Sequence, residues 1–459
     1  MLSKEIVNQV LGRALSTGGD YAEIFVDDTI NNNISLADGK VEDVVGGKSY
    51  GVGIRIFKNL KSVYAYTNNA SLESLLETAK KAALALGDLK ADIDINVTER
   101  ICTNINPIIY VPSSISPGKK IQVMKAAYNS AKSYSNEIVQ STVDYIDKDQ
   151  RVLIANSDGL YVEDRRILTR LLVKSIASNG VENQMGYEGP GRRMGFEMFD
   201  VVNPERCGIE ASRTAITMLH AKNCPAGRMP VAIENGFGGV IFHEACGHSL
   251  EATSVAKGNS VFCGKLGQQI ASTKVTAIDD GTMPNLWGTL NIDDEGSPTR
   301  RNVLIENGIL KSYLVDKLNG RRMNMEPTGS SRRQSYKFAP TSRMTNTYIA
   351  PGNDENEAII ASVENGLYAK KMGGGSVNPV TGEFNFAVIE GYLVKNGKIG
   401  EPVRGATLIG KGSEILMNID MVGKDLDHGQ GMCGSMSGSI PTNLGQPLLR
   451  VSEITVGGR

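Results

Sequence analysis

The sequence predicts an α+β protein in two parts. An N-terminal α+β domain with an antiparallel sheet spans residues 1–190, and a C-terminal β-rich domain carrying a candidate metal-site helix spans 191–459. Three observations point there. At 459 residues the chain exceeds one ordinary domain. Short strand-like runs separated by Gly, Asn and Asp turns recur along it, and 51 glycines suit many turns and β structure. A helix–meander–helix order at the N-terminus argues for helices packed on an antiparallel sheet.

Residues 2–16 form the first expected helix, with Leu2, Ile6, Val7, Val10, Leu11 and Leu15 as its apolar face. Four strands should follow, Tyr21–Val26, Asn32–Leu36, Val41–Val45 and Tyr50–Ile56, with Asp38-Gly39 and Gly46-Gly47 as turns. A strand Ser62–Tyr66 then leads to a helix over about 71–87 that starts near Asn69. Prolines 107, 112 and 117 make 95–115 irregular, and a helix runs from about 117 to 134. Strands are expected around 136–145, 151–156, 160–175 and 178–187, and the breaker Gly189-Pro190-Gly191-Arg192-Arg193 marks the domain boundary.

Beyond it, a helix at 203–221 and a short strand Val231–Ile233 lead into the His-containing helix. From 275 onward the chain is strand-rich, with Asn307-Gly308 as a hairpin turn and a helix from Asp354 to Val363. Residues 383–395, 403–409 and 448–456 complete the β pattern.

Composition narrows the function. Lys plus Arg (49) balances Asp plus Glu (50), so no net charge points to nucleic acid or an acidic membrane as partner. No apolar run is long enough to span a bilayer, and the N-terminus lacks a signal-peptide core. Six cysteines without paired spacing fit a cytoplasmic protein with reduced thiols.

The chemistry concentrates in Phe242-His243-Glu244-Ala245-Cys246-Gly247-His248-Ser249-Leu250-Glu251. Neutral imidazole is the commonest protein ligand for transition metals, and zinc takes His nitrogen readily. A Glu beside the first His resembles the helix-borne His-Glu-x-x-His arrangement, whose Glu is the general base. The histidines here are five apart, which on a regular helix separates them by about 140°. Gly247 is where the helix can end or bulge and swing His248 back. The chain has only four histidines, so chance clustering is disfavoured.

A catalytic zinc usually has three protein ligands and one open position. The third can come from the glycine-laden stretch Asp427-His428-Gly429-Gln430-Gly431-Met432-Cys433-Gly434, read as a loop on a β scaffold. Cys433 is one candidate, His428 its rival, and Cys246 a third that would more naturally pack as a small apolar side chain. Asp279-Asp280-Gly281 and Asp293-Asp294-Glu295-Gly296 lack calcium-loop spacing and suit turn or substrate-contact roles. Arg332-Arg333 and Arg343 could hold a peptide carboxylate, against ordinary surface pairing. Gly373-Gly374-Gly375 suits a tight β-connection, not a nucleotide loop.

Several motifs in order resemble one family. They are His243-Glu244-Ala245-Cys246-Gly247-His248, Asp279-Asp280-Gly281-Thr282-Met283-Pro284-Asn285, Asn291-Ile292-Asp293-Asp294-Glu295-Gly296, Arg343-Met344-Thr345-Asn346-Thr347, Met432-Cys433-Gly434 and Gly445-Gln446-Pro447. Together they look like the His-Glu-x-x-x-His metalloproteases of the TldD/PmbA family, on the TldD side. The resemblance covers most of the chain and is strongest from about 230 onward. It implies a zinc-dependent peptidase acting on short or unfolded peptides through Glu-assisted attack by metal-bound water. By position, His243, His248 and Cys433 match the family's metal ligands and Glu244 its catalytic residue. His428 has no counterpart in the family pattern, and Cys246 fills a variable small-residue slot. After Gly434 the chain departs from the family with Ser435-Met436-Ser437-Gly438. The resemblance also implies a homodimer, or a heterodimer with a metal-free paralogue in which this chain is the catalytic member. The alternative is a peptide- or toxin-binding regulatory module of the gyrase-modulator type, with a structural metal.

Overall fold

A computed structural model describes residues 1–88, 90–378 and 380–458 and bears out the α+β class. The first sheet is built on two long hairpins. Strands Tyr21–Ala37 and Lys40–Lys58 meet at Asp38-Gly39, both at positive φ (48° and 75°), as a two-residue hairpin turn requires. Four strands were expected here and two are found. Gly46 and Gly47 do not turn but pair with Asn32 and Asn31. Residues of low strand preference face one another there, and the register set at the turn carries the ladder through them. In the second hairpin, Ile138–Asn156 likewise absorbs two expected strands into one, while Leu160–Ser178 matches the single strand expected over 160–175.

The eight-stranded sheet runs Lys61–Thr67, Lys40–Lys58, Tyr21–Ala37, Ile138–Asn156, Leu160–Ser178, Thr98–Arg100, with Asn183–Glu188 and Gly191–Arg192 also on Leu160–Ser178. Helices Lys4–Ala14 and Leu72–Leu84 cover one end of one face, and Pro117–Lys132 and Pro204–Leu219 cover the other end. Each starts where a side chain accepts an early helical N–H: Ser3, Ser71, Ser116 and Asn203. Val7, Val10 and Leu11 pack on Ile24, Val26 and Ile54, each contributing about 1.5–3 kcal/mol when fully enclosed. The opposite face of the sheet receives the rest of the chain, where Phe25, Val152 and Ile154 pack against Ile292 and Tyr336.

In the second half, Asn365–Val377, Gly227–Ile233, Leu449–Gly457, Thr407–Lys411 and Glu383–Lys395 pair in sequence, and the first also pairs with the last, closing a ring. Gly373–Gly375 lies inside the first of these strands, where its register shifts. A six-stranded sheet lies alongside: Ile309–Leu310, Arg301–Glu306, Ala277–Asp280, Asn346–Ile349, Gly438–Gln446 and Asp427–Ser435. The glycine-laden stretch read as a loop is therefore an edge strand. Its ladder with Gly438–Gln446 runs unbroken from Asp427 to Ser435, because backbone pairing tolerates glycine where a partner strand fixes the register.

Asp293, Asp294 and Glu295 lie in the expected turn, where Asp293 Oδ1 accepts from the Glu295 and Ser297 N–H groups, and all three are enclosed. They join the two halves. Arg166 of the first sheet pairs with Asp294, and Arg55 pairs with Glu295 at 2.7 Å. Arg333 Nη2 donates to Glu23 at 2.7 Å and to the Asp294 carbonyl at 2.8 Å. Among the described residues, no helix is long and apolar enough to cross a membrane.

Candidate metal centre

The short helix Val240–Ala245 sits in the largest core cluster, with Val240, Ile241, Phe242 and Ala245 enclosed. It ends at Cys246 (φ −133°, ψ −44°), and Gly247–Leu250 continues as a 3-10 turn. This break resolves the five-residue spacing. The imidazoles of His243 and His248 approach to 5.0 Å between ring centroids, at 80° to each other. Gly247 serves closeness and not a left-handed backbone: a Cβ there would lie 2.2 Å from Met344 Sδ and would push that side chain aside.

Cys433 reaches this pair from the edge strand. Its Sγ lies 3.3 Å from His243 Nε2 and 3.3 Å from His248 Nε2. The three donor atoms fall within 4.8 Å of one another. Two His nitrogens and a Cys sulfur on a tetrahedral zinc would stand about 3.5 Å apart from N to S, close to the 3.3 Å found, so the donor set and its N–S spacing suit that ion. Imidazole and thiolate are also donors that zinc favours. Burial alone would raise the Cys433 thiol, but the facing His243 and His248 outweigh it and bring it down to about 3. For His248, burial opposes the charged form, and Glu251 together with Cys433 overrides it, holding its pKa well above the usual value.

Glu251 had no role assigned from the sequence. Its Oε2 lies 3.3 Å from His248 Nδ1, leaving Nε2 to face the cluster. A carboxylate on the far ring nitrogen of a metal-binding His fixes tautomer and orientation, and a Glu three residues after a candidate ligand was the available signal. Arg343 is fully enclosed, contrary to the expectation of a surface or substrate-facing guanidinium. It donates to the Cys433 carbonyl at 2.6 Å and to Ser437 Oγ at 2.9 Å, and its Nε stands 3.9 Å from Glu251 Oε1. It thereby ties the carboxylate behind His248 to the strand carrying Cys433. Glu244 Oε2 lies 3.7 Å from His248 Nε2, and its side chain is 24% exposed, so it borders the cluster from the solvent side.

The rivals lie elsewhere. His428 is on the Cys433 strand but five residues away, an odd separation that puts it on the other face about 17 Å along. Its ring packs edge-on against Tyr348. Cys246 points from the helix toward the Gly412 carbonyl, and burial pushes its thiol up. Among the described residues no fourth His, Cys or carboxylate joins the group of three.

Comparison with known proteins agrees along the whole chain. Residues 226–458 match the PmbA/TldA metallopeptidase C-terminal domain, 110–219 its central domain and 22–86 its domain 1. The chain belongs to the TldD/PmbA family. A Haemophilus influenzae relative named metalloprotease TldD homolog is 38% identical over 452 residues, covering 96% of this chain and 93% of the relative. A Methanothermobacter thermautotrophicus metalloprotease is 32% identical, covering 96% of each. The fold matches a Thermotoga maritima crystal structure described as a candidate modulator of a DNA gyrase, with TM-score 0.80, 24% identity and 99% of each chain covered. It also matches TldE from Thermococcus kodakarensis, with TM-score 0.78, 18% identity, and 99% of this chain and 100% of that one covered.

Proposed function

We propose that this chain is a zinc-dependent peptidase acting on short or unfolded peptides. His243, His248 and Cys433 are its metal ligands and Glu244 is its general base. The observation that carries this reading is the convergence of two Nε2 atoms and one Sγ with a partly exposed carboxylate beside them and no fourth ligand among the described residues. Bound there, zinc supplies a Lewis acid that acidifies water and polarises a carbonyl. Glu244, at the solvent border, takes the proton from water and passes it to the leaving amine. Glu251 holds His248 with Nε2 forward, and Arg343 holds the backbone at Cys433.

The relatives named metalloproteases support a peptidase. A closed structural metal, as in the gyrase-modulator reading, needs a fourth protein ligand, and His428 lies too far along its strand to be one. Six free thiols among the described residues support a reducing, cytoplasmic setting. The dimer, of identical chains or with a metal-free paralogue, belongs to the same proposal and is tested by sedimentation of the purified protein alone.

Metal content and peptide hydrolysis, measured together, test the site. Cys433→Ala should lose zinc and activity. Glu244→Gln should keep zinc and lose about 10²–10⁴-fold in rate. Hydrolysis by Glu244→Gln at the wild-type rate would remove the general-base role. A wild type that takes up no zinc would remove the metal site.

A further inference from the structure

The arginines that the sequence offered as carboxylate holders are all engaged. Arg343 serves the Cys433 strand, Arg333 holds Glu23 and Asp294, and Arg332 donates to the carbonyls of Met344 and Pro441. Two other cations are not. Arg193 is 3% exposed, and its Nη2 is enclosed without an acceptor. Among the described residues its guanidinium has no ion-pair or hydrogen-bond partner. Lys148 is half-buried, and among the described residues its ammonium also has none. An enclosed charge without a direct partner costs several kcal/mol, so a structure that keeps two such cations side by side, with carboxylates only at longer range, is poised for an anion.

Both cations lie on the face of the first sheet that looks toward the second half. Lys148 pairs with Leu168, on the same face as Gln150 and Arg166. Arg193 follows the short strand Gly191–Arg192, which pairs with Thr169 and Arg170, and its N–H donates to the Asn285 carbonyl. The same face meets the strand of the metal cluster. Arg170 Nη2 reaches the Gln430 carbonyl at 3.5 Å, and Trp287 Nε1 donates to the Gly431 carbonyl at 3.0 Å, two residues before Cys433. Burial lowers both cations, Arg193 to about 10, with each other, Arg166, Asp164, Asp27 and Asp294 acting as the charged surroundings. The carboxylates already present there disfavour a multiply charged anion and leave room for a singly charged one.

We infer that Lys148 and Arg193 form a carboxylate-binding subsite on the sheet face that meets the Cys433 strand, which takes the C-terminal carboxylate or an acidic side chain of the bound peptide. This rests on the peptidase reading and adds a specificity to it.

The test uses the full-length Glu244→Gln protein and calorimetric Kd values for three synthetic peptides of one sequence. One has a free C-terminal carboxylate, one a C-terminal amide, and one an amide plus an internal Glu. Wild-type hydrolysis of the amide peptide is followed in parallel. An anionic peptide should bind about tenfold tighter than the neutral amide, as expected for a charged hydrogen bond. That ratio should fall to about one in the Lys148→Met double variant, and Arg193→Lys should keep part of it. Preference for the free acid identifies the chain terminus as the source, and preference for the internal Glu identifies a side chain. Equal affinity for all three peptides, or a preference that survives Lys148→Met, overturns the subsite. Loss of hydrolysis in the wild type with the binding preference intact would instead overturn the peptidase reading alone.

Discussion

Cys433 and Glu295 are both enclosed ionisable groups, and their surroundings drive them in opposite directions. Burial raises each. At Cys433 two imidazoles at 3.3 Å outweigh it and hold the thiol down at about 3. At Glu295 Arg55 opposes burial, but Asp316, Glu23 and Asp293 add to it, and the carboxyl is pushed up to about 8. Its neighbour Asp293, also raised by burial, lies at about 7. The His/Cys cluster aims two imidazole nitrogens and a thiolate at one point, where a metal ion would take the place of the protons they share. The inter-sheet cluster instead gives its acidic groups hydrogen-bond or cationic partners of the protein's own, so it clamps two halves together. Donors aligned on one point distinguish a site from a clamp of paired charges.

Three outcomes would break or sharpen that contrast. The largest belongs to the clamp. Arg333→Met strips Glu23 of its close partner, leaving Arg55 at 4.0 Å, and should lower unfolding free energy by about 3–5 kcal/mol. Urea denaturation reads this, and a change below about 1 kcal/mol would show that the clamp does not hold the halves together. Zinc content per folded molecule should not change.

The next concerns the cluster itself. Glu251→Gln removes the carboxylate behind His248 and should weaken zinc roughly 10–100-fold in chelator competition. Unaltered affinity would mean that packing alone orients the ring.

The mildest effect is on pH. The folded pKa values of Asp293 and Glu295, about 7 and about 8, lie above the unfolded carboxyl values near 4. Between those limits the folded state binds more protons than the unfolded chain. The stabilising contribution is therefore complete below about pH 4 and is lost as pH rises through the folded values. Denaturation midpoints should fall between about pH 5.5 and about pH 8.5, and Glu295→Gln should flatten the slope. A slope that Glu295→Gln leaves unchanged would assign the proton uptake to other groups.

The helices and the Asp38-Gly39 and Asn307-Gly308 turns were legible because they are written in neighbouring residues. The Gly46-Gly47 turn was misread because local preference cannot see the partner strand that holds those glycines extended. Scarcity of histidine, together with Gly247 between His243 and His248, pointed to a break in the helix, and the chain breaks there. The sequence by itself thus determined the α+β class, the two imidazoles on one short segment and the carboxylate between them, since these depend on spacing and backbone preference within a few turns. Only the tertiary structure decided the rest. It brought Cys433 across 190 residues to the imidazoles and carried His428 to the far face of the same strand. It also drew Arg343 inside and left the side chains of Lys148 and Arg193 without a hydrogen-bond or ion-pair partner among the described residues. These contacts depend on strand register between distant segments, and a ladder that shifts by one residue turns every side chain to the opposite face.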